Sequence, residues 1–166
     1  HLMMMPSVSF QDELKHAMSA LAAILGGGDG SRLHWALIDT GLAEAAAASV
    51  DTNDHYGEQL VYAVCDPKDS QQVASILRSE MATVVDTLTD DDLAKVVAKA
   101  GTSAAVASER PAGRMQRLGS MLTTSGTYVS LEDELAKIES LTIKDLQEVA
   151  EAYPWVSLFE TATLHT

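Results

Sequence analysis

Two histidines one helical turn apart are the smallest scaffold from which a helix can hold catalytic zinc. The histidines stand at His1, His16, His34, His55 and His165, and no two are four residues apart. Both H-E-x-x-H and its inverted form H-x-x-E-H are therefore absent. Asp51, Asp54, His55 and Glu58 gather in one short stretch. Their spacing is not that of an EF-hand loop, and a solvated turn is expected. Gly26-Gly27-Gly28-Asp29-Gly30-Ser31-Arg32 could cradle a phosphate at a helix start. A P-loop, however, needs Gly-Lys-Ser/Thr after a strand. Here Asp29 adds repulsive charge, a helical pattern precedes the glycines, and Ser31 replaces the last glycine of a dinucleotide fingerprint. The glycines read as a helix-to-helix turn. No Gly-x-Ser-x-Gly elbow occurs and Cys65 has no adjacent base, so no catalytic constellation emerges.

The elements that would position any site follow from periodicity. Phe10, Leu14, Met18, Leu21 and Leu25 mark one face of a helix from about Ser9 to Leu25. Ser9 with Asp12 resembles its cap, and Gly26 its stop. A short helix follows from about Ser31 to Asp39. The alanine-rich stretch before Val50 favours helix by propensity. It ends in the turn-forming Asp51-Thr52-Asn53-Asp54, beyond which Gln59–Cys65 has strand composition. Helices are then expected from Asp66-Pro67, from Thr89, from Pro111 (with Met115, Leu118 and Leu122 on one side), from Ser130 and from Thr142, and Pro154 stops the last. Val156–Phe159 reads as a short strand. The fold class is α+β: a small, mostly antiparallel sheet with several helices packed on it.

Composition narrows the partners. The chain of 166 residues suits a single domain over 1–166. Its formal net charge is −13, with eleven basic residues read as scattered, which argues against nucleic acid. No apolar stretch reaches the roughly 18 residues of a membrane span. Residues 1–5 lack the marks of a signal peptide. The opening His1-Leu2-Met3 reads as a cloning scar, or a cut inside a longer peptidase, running into a first strand. One cysteine, Cys65, allows no internal disulfide, and its apolar neighbours imply a buried, inert thiol.

The order of several segments is similar to one family. Leu25-Gly26-Gly27-Gly28, then Ser31-Arg32-Leu33, then Gly41-Leu42-Ala43 resemble the C-terminal, non-catalytic repeat of the pitrilysin/insulysin zinc metallopeptidases, which include the mitochondrial processing peptidases. Arg114-Met115-x-Arg117-Leu118-Gly119 and Thr142-x-x-Asp145-Leu146 agree with it, so the likeness covers roughly residues 20–150.

The resemblance implies two similar α+β halves enclosing a chamber. This chain would be the zinc-free wall, with no activity alone and no cofactor of its own. Zinc is expected in the partner, a zinc-bearing N-terminal half or a separate subunit, and the ligand is a peptide substrate. An alternative is a degenerate member with a structural, assembly role, and a third reading is an unrelated α+β binding domain. In the family an Arg and a Tyr seven residues apart grip the substrate backbone. By position they fall on Leu37 and Glu44, neither identity kept. Both are expected to approach the surface facing the zinc half. The resemblance also makes Ala43–Val50 a strand, against local propensity, and places another at Leu2–Val8.

Overall fold

The computed structural model describes residues 1–155 and the backbone of 160–162. A four-stranded antiparallel sheet has the order β2-β3-β1-β4, with β1 at Leu2–Ser7, β2 at Ala45–Thr52, β3 at Gly57–Val64 and β4 at Glu160–Ala162. The α+β fold expected from the sequence is the one formed. The strand expected at 156–159 lies outside the described residues.

β2 and β3 form a hairpin pairing Ala45 with Val64 through Thr52 with Gly57. Its turn closes where the Asx-rich cluster predicts, with Asn53 N–H donating to Tyr56 O at 2.8 Å. Side chains alternate across a strand. Met3, Met5, Val61, Ala63 and Ala48 therefore point to one face, where all are buried. Helix α1, Lys15–Gly26, lies on that face and buries Met18, Leu21 and Leu25 completely. Each such side chain contributes about 1.5–3 kcal/mol relative to exposure. Gly26 lets the end of α1 touch the strand, since a Cβ there would overlap Ala48 N and sit 2.8 Å from Ala47 C.

Helices α2 (Ser70–Thr83), α3 (Asp90–Glu109), α4 (Pro111–Thr124), α5 (Leu131–Glu139) and α6 (Ile143–Ala152) complete the helical layer. Val73, Leu77, Met81, Leu146 and Val149 close the core from α2 and α6. Thr89 and Thr142 form reciprocal capping boxes with Asp92 and Asp145, while Ser130 accepts from Asp133 N–H. Pro67 starts a single 3₁₀ turn, Pro67–Asp69, which leads into α2.

Two expectations are corrected. α1 begins at Lys15 rather than Ser9, because Phe10 N–H bonds Asn53 O across the hairpin turn and Asp12 Oδ1 accepts from Leu14 N–H. Cys65 is only partly buried, since it follows the last residue of β3.

Candidate functional site

Among the described residues, the outer face of the sheet is half-exposed to exposed. Directly opposed residues of an antiparallel pair share a face. Leu2, Tyr62 and Ala47 therefore form one row, Met4, Leu60 and Ser49 the next, and Val64 with Ala45 a third. An open antiparallel face ordinarily alternates to polar residues. Here it is apolar: Val64 is 49% and Met4 38% exposed. Asp51 and Glu58 stand opposite each other at the end of this face nearest the hairpin turn. A contiguous apolar face on an acidic domain marks a surface that meets another molecule or another part of the protein.

The two positions inferred from resemblance part company. Glu44 is exposed at the entry to β2, its N–H donating to Val64 O at 2.8 Å. Leu37 is fully buried and does not approach any surface, contrary to expectation. It lies in a π-helical turn, His34–Ile38, whose apolar side carries Leu33 and Leu37 into the core. Its carbonyl accepts from both Leu42 N–H and Ala43 N–H at 3.0 Å, which aims the chain into β2. Leu37 therefore acts here as an anchor for the Gly41-Leu42-Ala43 segment.

A second concavity, of about 600 Å³, separates α1 and the glycine loop from α3. Arg32, Lys95 and Lys99 border it with Trp35. Sequence reading missed the two lysines because only tertiary folding brings α3 to the loop. Each cation has a partner already. Arg32 binds Asp92 at 3.2 Å and Thr87 O at 2.7 Å, Lys95 pairs with Asp91, and Lys99 donates to Gly27 O at 2.8 Å. Burial pushes the Asp92 carboxyl up, but bonds from Thr89 together with Arg32 hold it below its ordinary value. These contacts tie α3 to the glycine loop, so the cleft is a structural joint.

Among the described residues the histidines do not converge. His16 lies half-buried in α1, where burial lowers its pKa; His34 is 3.7 Å from Asp29; His1 Nε2 is 2.9 Å from Ser70 O. Among the described residues no three His, Cys, Asp or Glu side chains could together hold a metal ion, and no helix is long and apolar enough to cross a membrane.

The comparisons with known proteins agree with this geometry. The family model described as the peptidase M16 inactive domain matches residues 2–100. A protein of Streptomyces coelicolor named an uncharacterized zinc protease is 33% identical over 148 residues, 88% of this chain and 32% of its own length. The chain thus spans about a third of the curated relatives it matches. A protease from Helicobacter pylori superposes with a TM-score of 0.83 at 19% identity, over 92% of this chain and 37% of its own. A chain of Complex III2 from Candida albicans does so with a TM-score of 0.81 at 12% identity, over 93% and 39%. These two structures share the fold.

Proposed function

The chain belongs to the peptidase M16 inactive-domain family, and on that premise we propose that it is the zinc-free wall of a peptide-binding chamber, closed by a zinc-bearing half in the same protein or a partner chain. The observation that carries this reading is the apolar, half-exposed to exposed sheet face of Leu2, Met4, Leu60, Tyr62 and Val64. A sheet buried under helices on one side and open on the other suits a wall that encloses a space. Extended peptides offer side chains to such a face. Among the described residues no three side chains fit a metal site; in this reading zinc and the water it activates belong to the other half.

Substrate would be held by shape and apolar contact here. Glu44, when ionised, only accepts hydrogen bonds, and Leu37 offers no donor. That same observation favours a second reading, in which the parent has lost peptidase activity and the domain serves assembly. The test uses the parent protein with Tyr62→Asp. A charge on the wall should lower kcat/KM for peptides at least tenfold while zinc content and unfolding temperature hold. An unchanged kcat/KM refutes the wall, and a parent with neither zinc nor activity establishes the assembly reading.

A further inference from the structure

α4 carries an apolar stripe that the fold does not cover. Met115, Leu118 and Leu122 recur at i, i+3 and i+7 along one side of the helix. They are 72%, 42% and 57% exposed, and only Met121 of this helix is buried. Val106 in α3 and Tyr128 in the loop after α4 are exposed as well. Glu109, Pro111, Arg114, Met115, Leu118 and Gly119 line a shallow hollow along the stripe.

The charge of this region is opposite to that of the molecule. Residues 101–131 hold Arg110, Arg114 and Arg117 against a single carboxylate, Glu109, a local net of +2 in a chain of −13. The basic residues read as scattered are thus partly gathered here. Arg117 is already committed to Glu134 at 2.7 Å. Arg110 and Arg114 are exposed at the start of the helix. Arg114 donates its Nε–H to Ser108 O, and its exposed guanidinium has further N–H donors to offer.

We propose that this stripe is the docking surface for the zinc-bearing half, which meets it with an apolar patch edged by carboxylates. The inference rests on the chamber reading and adds the place where the two halves join. Relatives three times as long leave most of such a protein outside this chain. A stripe at helical spacing is matched by an apolar groove or helix face. Exposed arginines at its end select carboxylates, which they bind in a bidentate fork. A copy of the same stripe would bring only Glu109 to meet three arginines.

Oxidation of Met115 by dilute hydrogen peroxide reads the contact directly, because sulfoxide forms fastest on an accessible thioether. Mass spectrometry follows its rate in this chain alone and in the intact parent. The expected result is protection of at least tenfold in the parent, lost in an Arg110→Glu/Arg114→Glu parent. Both arginines are exposed, so folding is retained, and circular dichroism checks it. Equal rates in chain and parent overturn the docking surface. The chamber reading is then judged separately, by zinc content and peptidase activity of the same parent sample. Protection that rises with concentration of the isolated chain assigns the stripe to a second copy and also overturns the proposal.

Discussion

Replacing Gly26 by alanine tests how closely the helical layer sits on the sheet. The added Cβ would overlap Ala48 N and lie 2.8 Å from both Ala47 C and Ala48 Cβ. Overpacking a core costs about 1–3 kcal/mol when side chains can yield. The obstacle here is strand backbone held in the β2–β3 ladder, so the cost lies at or above the top of that range. The helix gains at most about 1 kcal/mol from losing a glycine. The net loss is therefore about 2 kcal/mol or more. Urea unfolding followed by circular dichroism should show a midpoint lower by about 1 M, for a slope near 2 kcal/mol/M. Gly101→Ala is the counterpart: mid-α3, with no atom within 4 Å of the new Cβ, it should stabilise by about 0.5–1 kcal/mol. If Gly26→Ala is as stable as the parent sequence, the close approach of α1 to β2 is wrong.

Three further outcomes follow from the caps and the core. Thr142→Ala should cost about 1 kcal/mol, because Thr142 Oγ1 satisfies Asp145 N–H at the start of α6. The bonds that Thr142 donates hold the Asp145 carboxyl below its ordinary value, its hydroxyl foremost and its backbone N–H next. That stabilisation is present above the unfolded carboxylate pKa near 3.9 and disappears as pH falls through the folded value. The stability gap between the wild type and Asp145→Asn should accordingly close below about pH 4 in denaturation curves. Leu37→Arg should destabilise by about 4 kcal/mol or more, since it forces an unpaired charge into a fully buried site. A well-folded Leu37→Arg protein would contradict the buried placement.

Capping residues were legible because they act within one turn: Thr89, Ser130 and Thr142 start helices where their sequence neighbours say they should. The alanines of β2 were not, because propensity describes an isolated chain. Ala48 is small for a tertiary reason, the passage of Gly26 across it. The start of α1 failed in the same way, since the bond from Phe10 N–H to Asn53 O spans the hairpin. Of the site, the sequence carried the continuous apolar run 60–64 that makes both sheet faces apolar, but not that the outer face would stay partly exposed. The inward course of Leu37 depends on a π turn, Asp39 N–H to His34 O, that no residue pattern announces.

The strand order also bears on how freely this sequence can be rearranged. β1 lies inside the sheet, and Leu2 sits opposite Ala162 where β4 leaves it. Antiparallel neighbours can be joined by a tight turn of about two residues. The succession of elements is therefore nearly cyclic, and a ring closed between these strands would strain none of the others. Opening that ring at the exposed hairpin turn near Asp54 would give a permuted chain with the same core and new ends. A domain with this connectivity can be fused, duplicated or inserted beside another without unpicking its sheet.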